Sequence, residues 1–428
     1  MTLINSSFEK FTGEVCAQIK CSEVHTEIKE ELMSHLEEMR EEYISQGSSS
    51  EEAEILAVAH MGDSETIGYD LNKVYKKKPE YKTLILTSII ASLGLFVQFV
   101  IASYTSSNTP TKCVFYTIVG IIVGIAAYFF DYRKLEKYSI HIFIAANLLI
   151  LIALAKKEFT NGNLTLSIFG NYIEIAFVAT IMLIISLNGI LPKLYSSSFG
   201  VIKIIALYLF SSFMLSLTNQ HAYMFIFLLV AILLLNYIGI PKKYITFVGL
   251  FFISVFSYSI VSVPYRFKRI ISFINFNDYK SSSGYLNYNI HELIAASKLL
   301  GNGTSRGIFK MLPSTNTDFI YCYIIYSFGW LMGAAILVLI LSLLVNLFKT
   351  SKIIKNSYGK TILLSISTIF ATEFLFSILT NLNLSPIMSV AIPFISYSGA
   401  STVVNIALIG LICSIYGRKN LSRSVTLN

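Results

Sequence analysis

The sequence predicts an all-α fold: a polytopic membrane protein with about ten transmembrane helices and a small N-terminal cytosolic helical domain. Three observations predict it. First, the chain is 54% hydrophobic and 14% charged, with a mean hydropathy of +0.64, whereas soluble domains are about 25% charged. Second, ten stretches are apolar over the roughly twenty residues that a spanning helix needs. Third, charge is segregated. Residues 1–70 hold 16 Asp/Glu against 4 Lys/Arg, a balance of −12, and the remainder holds 29 basic against 9 acidic residues, a balance of +20. An acidic soluble head thus precedes a basic membrane body, which suits anionic headgroups or a phosphorylated lipid. No nucleic-acid partner is expected.

The head, residues 1–75, opens polar and Glu-rich with no signal-peptide pattern, so the first membrane helix is expected to act as the insertion signal. Ser22 to Gln46 reads as one amphipathic helix, because Val24, Ile28, Leu32, Leu36 and Met39 recur at three- and four-residue intervals. Gly47 stops it. Ser49 followed by Glu52 is a capping-box pattern for the next helix, and Gly62-Asp63 breaks again. Glu30-Glu31-Leu32-Met33-Ser34-His35-Leu36-Glu37-Glu38, Ser50-Glu51-Glu52-Ala53 and Met61-Gly62-Asp63 resemble the acidic helical prefix called the HAAS domain. The five cysteines, Cys16, Cys21, Cys113, Cys322 and Cys413, show no metal or redox spacing. No structural disulfide is expected.

The membrane body, residues 80–420, carries candidate spans at 83–104, 113–130, 138–155, 172–191, 200–217, 222–240, 244–263, 318–347, 361–381 and 391–415. Basic loops follow spans two, four, six, eight and ten, represented by Arg133, Lys193, Lys242, Lys355 and Arg418, and the intervening short loops are nearly uncharged. By the positive-inside rule both termini are cytosolic. Residues 264–317 form the one long loop, extracytoplasmic in this topology, with Arg266, Lys268, Arg269, Lys280, Lys298, Arg306 and Lys310. Two readings of these cations remain: a solvated segment, or a grip on an anionic ligand at the outer surface.

Three carboxylates stand where apolar runs begin or pass: Asp318, Glu174 and Glu373. A charge in hydrocarbon costs several kcal/mol, so such residues are functional candidates. Asp318 leads, because within the motif Leu312-Pro313-Ser314-Thr315-Asn316-Thr317-Asp318-Phe319-Ile320 it puts a carboxylate where an apolar run begins. Glu174 also reads as an inter-helix hydrogen-bonding group, and Glu373 as a packing residue. Pro393-Phe394-Ile395-Ser396-Tyr397-Ser398-Gly399-Ala400-Ser401 suggests a broken helix lining a cavity, since irregular backbone at membrane depth must be buried in protein.

These two motifs, with Gly301, Gly303, Lys310, Gly410-Leu411 and the Arg266/Arg269 pair, resemble the SEDS family of FtsW, RodA and SpoVE. The resemblance covers nearly all of residues 80–420, with strong motifs in the second half. It implies glycosyl transfer on lipid II, with undecaprenyl pyrophosphate as leaving group, at the outer face of a bacterial cytoplasmic membrane. It assigns Asp318 as base and a class B penicillin-binding transpeptidase as partner. Arg266, Arg269, Lys310, Glu174, Ser396, Tyr397 and Ser401 become the substrate-binding set. No cofactor is evident; a divalent metal would suit pyrophosphate chemistry, yet no ligand cluster shows one.

The chain departs from the family pattern at several places. Ser314 and Asn316 replace a Glu and a His, and Tyr326 and Ser327 replace paired glutamates. Asn219-Gln220-His221 stands for a Gln-Pro-Asp turn, and the lysine expected after Glu174 is missing. A non-catalytic lipid II-binding scaffold and a lipid transporter or flippase therefore remain as alternatives.

Overall fold

The computed structural model describes residues 6–75, 78–105, 108–160, 163–168 and 171–419. The chain separates into two units, Glu80–Ile415 and a second made of Met1–Pro79 with Tyr416–Asn428.

In the smaller unit four helices, α1 (Ser6–Gln18), α2 (His25–Ser45), α3 (Ser50–Met61) and α4 (Ser64–Tyr75), enclose one apolar core. The core joins Phe8, Phe11 and Val15 of α1 to Ile28, Leu32 and Leu36 of α2 and Ala57 of α3. The long amphipathic stretch begins with a tight turn at Ser22–Val24 before α2 takes over. Ser49 and Glu52 form the capping box reciprocally, so two otherwise unpaired N–H groups of the helix start are satisfied.

The larger unit contains α5 (Tyr81–Thr105), α6 (Thr109–Phe129), α7 (Arg133–Lys137), α8 (Ser139–Lys156), α9 (Ile175–Tyr195), α10 (Gly200–Ser216), α11 (His221–Ile238) and α12 (Lys242–Val261). Then follow α13 (Pro264–Ile274), α14 (Tyr285–Ala296), α15 (Arg306–Met311), α16 (Ile320–Phe328), α17 (Trp330–Ile353), α18 (Ser357–Asn381) and α19 (Gly399–Gly417). Among the described residues nine helices are long and apolar enough to cross a membrane, and α10 is a shorter apolar helix of the same bundle. The central helix is α9, most of whose residues are buried, whereas α6 at the rim is mostly exposed. Exposed side chains such as Phe96, Phe115, Ile122 and Leu341 cover the outside, as a lipid-facing surface requires.

Three differences from the sequence expectation bear on the site. A small antiparallel sheet joins the helices: β1 (Phe159–Thr160), β2 (Asn163–Ile168) and β3 (Asn171–Glu174), in that order. Thr165 faces Glu174 in the β2–β3 register, so the segment expected to open a span at 172 is strand until α9 begins at Ile175. The expected span 318–347 is two helices, α16 and α17, broken at Gly329, whose φ is +92°. An L side chain there would place its Cβ 2.1 Å from the Leu299 carbonyl oxygen. Loop residues 298–303 stitch the break. Asn302 and Gly303 donate backbone N–H groups to the carbonyls of Tyr326 and Ser327, while Trp330 and Leu331 donate theirs to Lys298 and Leu299. The backbone groups lost to the break are thereby satisfied inside the protein. Finally, the last helix begins at Gly399 rather than 391. The preceding segment carries Pro386 and Pro393, and proline resists helix interiors because it lacks an N–H and clashes with the turn before it.

Candidate functional site

Asp318 lies just before α16, in a turn where Ser314 adopts a positive φ and its carbonyl accepts the N–H groups of Thr317 and Phe319. Three separate elements grip this turn. Gln98 of α5 donates from Nε2 to the Asn316 carbonyl at 2.8 Å, and the Tyr397 N–H donates to the same oxygen at 2.8 Å. Ser396 Oγ donates to the Thr317 carbonyl at 2.8 Å while accepting the Ile392 N–H. Asn381, at the end of α18, donates to the Asp318 carbonyl at 2.8 Å and accepts the Cys322 N–H. Held at 316, 317 and 318, the main chain leaves Asp318 little freedom, which is the preorganisation a reacting group needs.

The Asp318 carboxyl accepts a hydrogen bond from Ser389 and faces Arg269. Burial pushes its pKa above the usual carboxylate range, and Ser389 and Arg269 pull against that shift. Glu174, delivered by the end of β3 to the mouth of α9, sits in the same electrostatic field. Burial pushes its carboxyl up to about 7, the Asp318 charge adds to the rise, and Gln220 opposes it. Both carboxylates stand before their helices rather than within them.

Beside them opens a cavity of ≈ 340 Å³ lined by Asn219, Gln220, Arg266, Arg269 and Ser389 among others. Arg266 is braced. Its Nη2 donates to Asn219 Oδ1 at 2.8 Å and its Nη1 to the Ser259 carbonyl at 2.8 Å and to Ser259 Oγ at 3.0 Å. A guanidinium carries five donors, so Nε–H and one Nη2–H remain for a ligand. Arg269 stacks on Tyr265, 5.8 Å from the ring centre, and reaches the Ile387 carbonyl at 3.5 Å. Gln220 is only 6% exposed, lines the cavity, and interacts with the Glu174 carboxyl. Two guanidinia, Arg266 and Arg269, give the cavity the chemistry of an anion-binding chamber.

The structure thus gathers Asp318, Glu174, Arg266 and Arg269. Lys310 stands apart, exposed on α15 and outside the cavity wall. Ser396 and Tyr397 serve the Asp318 turn through hydrogen bonds to the main chain, and Ser401 pairs with Ser398. Gln98, Asn381 and Ser389 are site residues that motif reading passes over. Gln98 and Asn381 carry a usable signal, an amide in an apolar span; Ser389, in a loop, carries none. Among the described residues no group of three or more His, Cys, Asp or Glu side chains could hold a metal.

Comparison with known proteins covers the same region. Residues 81–421 match the FtsW/RodA/SpoVE family, described as cell cycle protein. Stage V sporulation protein E of Bacillus subtilis (strain 168) is 28% identical over 41% of this chain and 49% of its own length. A probable peptidoglycan glycosyltransferase FtsW of Geobacter sulfurreducens is 26% identical over 44% of this chain and 52% of its own length. The chain therefore spans about half the length of these two relatives. A chain from a solved peptidoglycan synthase complex superposes with a TM-score of 0.68 at 18% identity, covering 80% of this chain and 99% of that one. It shows the same fold. With the family match extending over the whole bundle that holds the Asp318 turn and its cavity, this chain belongs to the SEDS family of multi-spanning membrane proteins.

Proposed function

We propose that the protein is a SEDS-type peptidoglycan glycosyltransferase that polymerises lipid II at the outer face of a bacterial cytoplasmic membrane. Both termini are then cytosolic and residues 264–317 lie outside. The observation that carries this reading is the Asp318 carboxylate, fixed through its main chain and set against Arg269 beside a cavity with two guanidinia. In this reaction Asp318 takes the proton from the acceptor sugar 4-hydroxyl. The freed oxygen forms the new bond to the anomeric carbon of the growing glycan. The bond from that carbon to the pyrophosphate breaks, and its electron pair leaves with undecaprenyl pyrophosphate. Arg269 and the two free donors of Arg266 meet the negative charge that develops there. A class B penicillin-binding transpeptidase is the proposed partner, and the acidic head is proposed as a regulatory docking module.

A second reading is a scaffold that binds lipid II without polymerising it. It is favoured by Phe177, which stands at the first inward turn of α9 after Glu174, where no lysine is available to pair with either carboxylate. Purified protein, alone and with a candidate transpeptidase, incubated with labelled lipid II separates the two. Glycan strands that depend on Asp318 support polymerisation, and saturable lipid II binding with no strands supports the scaffold.

A further inference from the structure

A second, much smaller chamber lies between α11, α18 and α19. It encloses ≈ 10 Å³ and is lined by Glu373 of α18, Tyr223 of α11, Asn405, Ser401 and Thr402 of α19, and the non-helical residues Ala391 to Phe394. That volume is room for about one water-sized particle. Glu373 is 2% exposed and Asn405 is 4% exposed. Glu373 Oε2 and Asn405 Oδ1 both lack any hydrogen-bond partner. Two of the hydroxyls around them are engaged elsewhere: Ser401 pairs with Ser398, and Thr402 donates to the Ser398 carbonyl at 2.7 Å. The chamber therefore leaves one carboxylate oxygen and one amide oxygen unpaired, with the Tyr223 hydroxyl on its wall, and no Lys, Arg or His forms an ion pair with Glu373 among the described residues. A buried carboxylate without a counter-charge is strongly unfavourable. Its surroundings, non-helical backbone running into the start of α19 beside an amide oxygen, share the unwound backbone that coordinates sodium in membrane proteins.

We propose that this chamber binds one small monovalent cation of sodium size, with Glu373 supplying the charge and Asn405 Oδ1 a neutral ligand. The cation would brace the 391–401 segment, whose Ser396 also lines the chamber and holds the Thr317 carbonyl next to Asp318. The inference does not depend on the glycosyltransferase reading, because it concerns binding and needs no substrate.

The test uses the purified full chain and radiolabelled sodium ion. Saturable sodium binding is expected for the wild type, displaced by unlabelled sodium but not by choline. The thermal midpoint should be higher in sodium chloride than in choline chloride. Glu373→Gln should remove both effects and yet melt in choline no lower than the wild type does, since the neutral amide leaves no charge to compensate. Asn405→Leu, which fills the chamber while keeping the carboxylate, should weaken sodium binding independently and guards against a misfolded Glu373 variant. Absence of saturable binding in the wild type, or equal binding by wild type and both variants, overturns the proposal and leaves a protonated Glu373 with an enclosed water.

Discussion

At the scale of single residues, Asp318 is the proposed base and the first group to test. Asp318→Asn preserves size and loses basicity, and loss of a general base typically lowers a rate about a hundredfold to ten-thousandfold. The variant is expected to fold and bind labelled lipid II like the wild type while making no glycan. Equal polymerisation by both would remove Asp318 from the chemistry. Arg269→Ala is expected instead to weaken lipid II binding, since it withdraws the proposed phosphate donor; unchanged affinity would reassign Arg269 to holding Asp318 and Ile387 alone. Glu174 offers a pH test. Its folded value of about 7 lies above the ordinary 4.5, so the stability it contributes when protonated is complete below pH 4.5 and lost as pH rises through about 7. Its share is at most ~3 kcal/mol. Glu174→Gln should abolish that part of the fall in thermal midpoint between pH 4.5 and 8, and a parallel pair of curves would sink the assignment. Asp318, Glu174, Arg266 and Arg269 are legible in the sequence because charge next to apolar runs stands out. The cavity that joins them is not, for Gln220 and Ser389 look like ordinary polar residues of short turns until the fold closes around them.

At the scale of elements, the apolar runs locate the helices well, since twenty apolar residues in succession have few other structural uses. What they conceal is interruption. Apolar residues flank the break at Gly329 on both sides, and Ser327 beside it is a small polar residue of a kind that helices in the same bundle also carry, so the sequence does not flag an interruption. Only a glycine marks it, and a glycine in a membrane helix is common. The sheet over residues 159–174 hides for a related reason. Its β3 strand runs straight into α9, and Tyr172 and Ile173 read as the first turn of a span. Gly329→Ala tests the break. The added Cβ would meet the Leu299 carbonyl at 2.1 Å and the backbone conformation disfavours any L side chain, so a loss of about 3 kcal/mol is expected. Thermal melting in detergent reads it. Little change would mean that the 298–303 loop moves aside readily, and that the stitch is loose.

For the whole molecule, alternation of basic and uncharged loops predicts the topology. Cysteine placed at residue 280 should react with an impermeant reagent from outside, and cysteine at residue 355 should not; the reverse pattern would invert the bundle. A chain beginning near residue 76 should still reach the membrane, because the acidic head has no apolar run to lead insertion. Cytosolic aggregation of that shortened chain would make the head part of the folding unit. The hydrogen bonds around Asp318 carry a consequence for biogenesis. Gln98 and Asn316 are 218 residues apart in sequence, Ser396 and Thr317 are 79 apart, and Asn381 and Asp318 are 63 apart. Contacts of such long range form late, because the loops between them must close first. The turn around Asp318 is therefore assembled only after the chain has been threaded from its first membrane helix to the segment that enters its last, and a chain stalled partway through insertion lacks the braced turn that the proposed chemistry requires.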